Sequence, residues 1–176
     1  MTVASARKEA RNYLWVVHWV MATAYVIIFS VGLYMVNLPE KSPLASPLYS
    51  FHESMGVLVM LLLTGRIFLT LRALAPVKPK NWIVTATIHT LLYTLMVIVP
   101  LSGYFHSNLN GYSVEFFGLP TPTLAQKNKP VAEATDELHQ WLAYTFAAFV
   151  GIHLISQRKW IAGNIKKVTR RFSSAA

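Results

Sequence analysis

The chain has 176 residues, of which 54% are hydrophobic and only 13% charged, with a net charge of +9 and no cysteine. Soluble domains carry about 25% charged residues, so this chain is too poor in charge to cover itself in water. The absence of cysteine excludes disulfides, thiolate metal sites and covalently tethered c-type haem.

Residues 1–12 are short and basic, with Arg7, Lys8 and Arg11. Residues 13–36 form the first apolar run, interrupted by His18. It is long enough for the ~30 Å of a bilayer's hydrocarbon. It is also longer than a signal-peptide core, and no small-residue cleavage site follows it, so a retained helix is expected. Residues 37–47 read as a proline-punctuated loop. Residues 48–71 are the second run, interrupted by His52, Glu53 and Arg66. A short loop over 72–80 contains Pro76 and Pro79. The third run, 82–104, carries His89 and Pro100, and the proline predicts a kink. Residues 107–135 form the longest loop, with amphipathic character around 112–117. The fourth run, 136–160, reads DELHQWLAYTFAAFVGIHLISQRKW. A basic tail, 161–176, follows and is expected to fray at its end. These elements predict an all-α integral membrane four-helix bundle, with its core unit at 13–160.

Charge placement predicts the topology. Only Lys41, Lys127 and Lys129 lie in the first and third loops, while the other thirteen of the 16 basic residues flank or follow the opposite span ends. By the positive-inside rule both termini are expected to be cytoplasmic, in a multi-pass protein of the inner membrane. All acids except Glu9 lie in or beside the two outer loops. Trp15, Trp19, Trp82, Trp141 and Trp160 fall near span ends, where indoles sit at the headgroups. The tail motif KKVTRR could suit nucleic acid, but its place beside a last span makes it topogenic, and no nucleic-acid partner is expected.

The histidines carry the functional signal. His139 and His153 are fourteen residues apart, so they leave nearly one helix face, about 40° short of four turns and roughly 21 Å apart along the axis. His18 enters early in span one and His153 lies late in span four, both at the inner level. His52 enters early in span two and His139 early in span four, both at the outer level. Ionisable residues within spans are costly and usually functional. A neutral imidazole is an axial ligand of haem iron. Two level pairs therefore predict two bis-histidine irons with no open position, suited to electron transfer. A membrane histidine also serves as a hydrogen-bonding packing residue, but two depth-matched pairs favour ligation. His89 has no remaining depth partner and reads as a residue behind the ligands, a quinone-side residue or a packing residue. His106 reads as interfacial.

Arg66 is fourteen residues after His52, on the same face at the inner level. A buried arginine needs an anion, and a haem propionate would serve; snorkelling to the surface is the alternative. Gly56, one turn past His52, would let a flat macrocycle approach the backbone, or would serve helix packing. Gly103 and Gly151 are weaker candidates for the same role.

The segments HWVMATAY, FHESMGVLVMLLLTGRI, IHTLLYTLMVIVPLSGYF, FFGLP and ELHQWLAYTFAAFVGIH together resemble bacterial cytochrome b561, the four-helix di-haem membrane cytochromes. The resemblance runs from about residue 10 to 160. It implies two non-covalent b haems with His18, His52, His139 and His153 as axial ligands. It also implies exchange of electrons with membrane quinone, and superoxide oxidation at the outer face as a member activity. The run ISQRKW after His153 departs from the family by lacking further histidines often found there, which leaves the four ligands in place. Two readings of other classes stand beside this one: a haem b anchor subunit of a larger dehydrogenase, and a haem-free bundle such as a small transporter. If superoxide is the outer partner, Lys127 and Lys129 are the candidates for attracting it, within an outer loop set that is otherwise acidic.

Overall fold

A computed structural model describes residues 3–39, 41–73 and 82–173. The elements are α1 (Val3–Met35), α2 (Ala45–Ala73), α3 (Trp82–Asn110), a two-stranded hairpin of β1 (Glu115–Phe116) and β2 (Leu119–Pro120), and α4 (Lys129–Ser173). Each helix contains a stretch long and apolar enough to cross a membrane: Lys8–Met35, Ala45–Ala73, Trp82–Asn110 and Lys129–Gly163. The chain is an all-α, multi-pass membrane protein.

The helices outrun the apolar stretches, α2 and α4 at both ends, α1 at its start and α3 at its finish. α4 begins at Lys129 rather than near residue 136 and continues to Ser173, into the basic tail, whose end at 174–176 lies outside the described residues. Apolar length marks the part of a helix that lies in hydrocarbon, whereas hydrogen bonding continues into polar residues of good helix propensity. The longest loop accordingly shrinks to residues 111–128. The short loop expected over 72–80 falls almost entirely outside the described residues.

α3 stops at a Schellman motif. Gly111 takes φ +89°, Tyr112 N–H donates to Ser107 C=O at 3.0 Å, and Gly111 N–H donates to Asn108 C=O at 2.8 Å. The loop stretch at 112–117, read as amphipathic, leads into the hairpin of β1 and β2. Phe117 (φ 50°) and Gly118 (φ 86°) form its two-residue turn, both left-handed as a type I′ turn requires. Asn128 caps α4, its carbonyl accepting from Ala132 N–H at 2.9 Å.

α1 packs along α2, and α3 along α4, with a lighter α2–α3 contact. Ala24, Met55 and Val59 form one buried cluster; Leu92, Leu95 and Phe146 form another. Tyr25 packs against both, its ring 5.0 Å from that of Phe146. Pro100 lies inside α3 and cannot donate to Met96 C=O. The Tyr25 hydroxyl approaches that carbonyl at 3.5 Å, from a different helix. Large side chains such as Val26, Leu61, Ile83 and Ile155 point outward, more than half exposed. In water this would be a very large apolar surface; against lipid tails it carries no penalty.

Candidate functional site

Two groups of histidines face one another across the bundle, one towards the 111–128 loop and one towards the basic tail. At the loop end, the rings of His52 on α2 and His139 on α4 have centres 6.2 Å apart. At the tail end, the rings of His18 on α1 and His153 on α4 are 6.4 Å apart. Two imidazoles on opposite sides of one metal, with bonds of about 2.0–2.1 Å and ring centres about 1.2 Å behind each nitrogen, would stand about 6.4 Å apart. Both separations fit that arrangement.

The loop-end pair borders a cavity of about 250 Å³. Its walls are mostly apolar, from Tyr25, Phe29, Val59 and Phe146, with Glu53 and His106 among the polar groups. The His139 Nδ1 lies 3.0 Å from Val99 C=O and 3.0 Å from Ser102 Oγ, and that hydroxyl in turn donates to Val99 C=O at 2.7 Å. A carbonyl can only accept, so Nδ1 carries the proton and Nε2 keeps its lone pair for a metal. The His52 ring is buried near Ile28 C=O, and its Nδ1 makes no well-formed hydrogen bond.

Two glycines make room for these rings. A Cβ at Gly103 would stand 2.9 Å from His139 Cε1, and one at Gly32 would stand 3.1 Å from His52 Cε1. Gly56 borders the cavity, but a Cβ there would meet only Ile28 Cδ1 at 3.9 Å, an ordinary contact. Gly151 has nothing within 4 Å of such a Cβ. Of the glycines considered from sequence, Gly103 is therefore the one pressed against a histidine. Gly32 was missed although a signal existed. The fourteen-residue step from His139 to His153 and from His52 to Arg66 also runs from His18 to Gly32 and from His89 to Gly103. Each helix carries one mark at each level.

The tail end is more crowded. Arg66 donates from Nε to Tyr93 Oη at 2.9 Å and from Nη1 to His18 Nδ1 at 3.0 Å. Thr70 Oγ1 donates back to Arg66 C=O at 2.8 Å. Guanidinium only donates, so His18 Nδ1 accepts and the proton sits on Nε2. His89, without a depth partner in the sequence reading, has its ring 5.4 Å from His153. That is closer than two rings on opposite sides of one metal would stand, so His89 lies beside His153 rather than opposite it. The His153 Nδ1 is buried without a partner. His106 sits near the loop-end surface, with Nδ1 3.1 Å from Ala132 C=O and Nε2 3.7 Å from Asp136. Among the described residues, no three or more His, Cys, Asp or Glu side chains gather as a ligand set for a bare metal ion. A pair of imidazoles suits a macrocycle that brings its own equatorial nitrogens.

An all-helical bundle crossing the membrane four times, with imidazole pairs set across its interior, defines a membrane cytochrome of the b type. The chain belongs to the prokaryotic cytochrome b561 family, whose profile matches residues 11–171. It is 26% identical over 142 residues to cytochrome b561 homolog 2 of Escherichia coli (strain K12), covering 77% of this chain and 76% of that protein. It is accordingly a haem b-binding protein of membrane electron transfer.

Proposed function

We propose that the chain holds two b haems and passes single electrons between a membrane quinone and a partner at the outer, periplasmic face, including superoxide as donor with quinone as acceptor. The observation that carries the reading is the pair of ring separations, 6.2 and 6.4 Å, each suited to one six-coordinate iron. His52 and His139 would hold the loop-end haem, and His18 and His153 the tail-end haem. Bound haem b supplies reversible one-electron Fe(III)/Fe(II) chemistry without an open coordination site.

The residues around the ligands have separate tasks. Val99 and Ser102 orient His139 by its Nδ1. Gly32 and Gly103 leave the space that the two loop-end rings fill, and Gly56 contributes an open stretch of cavity wall. Arg66 is a donor that a propionate carboxylate would take over from His18 Nδ1, freeing that imidazole to bind through Nε2. The apolar walls exclude water and keep the site at low dielectric. The reading places both termini in the cytoplasm of an inner-membrane protein. The cytochrome unit then spans residues 13–160, between basic segments at 1–12 and 161–176.

Reduced-minus-oxidised spectroscopy with haem quantification tests it. Two extractable haems per chain are expected. His52→Ala and His139→Ala should remove the same spectral component, and His18→Ala and His153→Ala the other. Arg66→Gln should shift the potential of the second component alone. A content of one haem, or loss of one component by both His18→Ala and His52→Ala, would overturn the two-centre reading. Stoichiometric co-purification of a large catalytic subunit would favour a haem b anchor subunit instead.

A further inference from the structure

The hairpin between α3 and α4 lies at an unexpected depth. Tyr25 and Phe146 each lie seven residues from the histidines of their own helix and meet at the centre of the bundle. On α2 the same seven-residue step from His52 or Arg66 falls on Val59. Hydrocarbon extends roughly 15 Å, or about 10 residues of helix, to either side of such a mid-level. On that scale the boundaries fall near Trp15 at the tail end of α1 and near Tyr34 and Tyr49 at the loop end. All three rings are exposed, as interfacial aromatics are. Ser54 is only five residues from Val59, about 7.5 Å from mid-depth and so about 7.5 Å inside the boundary.

Ser54 is where the hairpin is fastened. Its Oγ accepts from Phe117 N–H at 3.0 Å, and its one proton is shared between Glu115 C=O at 2.9 Å and Ser50 C=O at 2.8 Å. Ser54 lies two residues past His52, roughly 200° around α2, so it faces away from the histidines. The hairpin therefore lies against a flank of α2 turned from His52, at a depth where lipid tails are expected, while Val114 reaches the loop-end cavity. The segments on either side of it are tied down by side chains. Tyr104 Oη donates to Pro122 C=O at 2.5 Å, Asn108 Nδ2 donates to Tyr112 C=O at 3.1 Å, and Leu124 N–H donates to Asn108 Oδ1 at 2.7 Å. Val114 is buried against the loop-end cavity, while Phe117 and Leu119 are exposed at 56% and 64%. From residue 112 to 124, YSVEFFGLPTPTL, Glu115 is the one ionisable group besides Tyr112.

We propose that this hairpin is a membrane-embedded wedge whose outward face, led by Phe117 and Leu119, is covered by lipid acyl chains rather than by water or a soluble partner. Val114 on its inner side closes the loop-end cavity. Glu115 limits the depth, because its carboxylate must still reach the headgroup region or the polar groups around Glu53. The inference depends neither on the haem count nor on the electron partners.

The cysteine-free chain makes a direct test available. Phe117→Cys and Leu119→Cys each give a single thiol for a nitroxide, with Ile27→Cys as a lipid reference and Gln126→Cys as a water reference. The holoprotein is placed in phosphatidylcholine–phosphatidylglycerol vesicles, and accessibility to oxygen and to a water-soluble nickel chelate is read by power saturation. Both replaced side chains are exposed, and a haem spectrum matching the wild type checks that each labelled chain is folded. The oxygen-to-nickel ratio at 117 and 119 should exceed that at 126 several-fold and approach that at 27. A ratio at either hairpin site equal to that at 126 would overturn the proposal.

Discussion

Gly103→Ala is the smallest change that interrogates the loop-end centre. The added methyl would stand 2.9 Å from His139 Cε1 and 3.2 Å from its Nδ1. Carbon atoms settle about 3.5–4.0 Å apart, so the ring must withdraw by roughly 0.6–1.1 Å. It has little freedom to do so, because Nδ1 is held at 3.0 Å by both Val99 C=O and Ser102 Oγ. A metal–nitrogen bond tolerates only about ±0.2 Å. Overpacking of this kind costs about 1–3 kcal/mol, which corresponds to a loop-end haem bound roughly 5- to 150-fold more weakly. Gly32→Ala is expected to be milder, since its methyl would meet His52 Cε1 at 3.1 Å and the His52 Nδ1 is held by no well-formed hydrogen bond. Gly151→Ala, with open space around it, should be silent. Haem per chain and the reduced-minus-oxidised spectrum, measured across the three variants during titration with haem, read the order directly. Full retention of both spectral components in Gly103→Ala, with unchanged haem affinity, would refute the claim that Gly103 sets the position of His139.

Ser54→Ala removes one donor and one acceptor from the hairpin and leaves Glu115 C=O and Phe117 N–H without that partner. A loss of about 1–3 kcal/mol is expected, seen as faster hydrogen exchange over 114–121 with the helices unaffected; unchanged exchange would show that the serine does not hold the hairpin. Lys127→Gln with Lys129→Gln should slow reduction of the haem by superoxide in stopped flow and flatten its salt dependence. Equal rates and equal salt slopes would remove these lysines from the proposed outer-face chemistry.

Much of this architecture is legible in the residues, and the gaps have physical reasons. Four apolar runs of membrane length announce four spans, because hydrocarbon thickness leaves little choice of helix length. The depth pairing of the histidines follows from where each enters its run, and ring centres 6.2 and 6.4 Å apart agree with it. Gly32 and Gly103 are harder to read, since a glycine's role depends on what the neighbouring helix presents to it. Tyr93 as a partner of Arg66 is invisible for the same reason: helix rotation is set by packing, not by hydropathy. The hairpin is hidden because its turn places Phe117, not a glycine or asparagine, at a left-handed position. A phenylalanine pair in a loop carries no turn signal until the backbone is seen.

The pairing of α1 with α2 and of α3 with α4 has a bearing on how the protein is made. Both proposed ligand pairs join one helical hairpin to the other, His18 and His52 from the first, His153 and His139 from the second. Each hairpin can leave the insertion machinery as a unit, and direct contacts such as Tyr25 on Phe146 and Arg66 on Tyr93 already join the two. Haem bound between the proposed ligand pairs would rivet them together at both levels, so the cofactor would lend the bundle mechanical strength as well as redox chemistry.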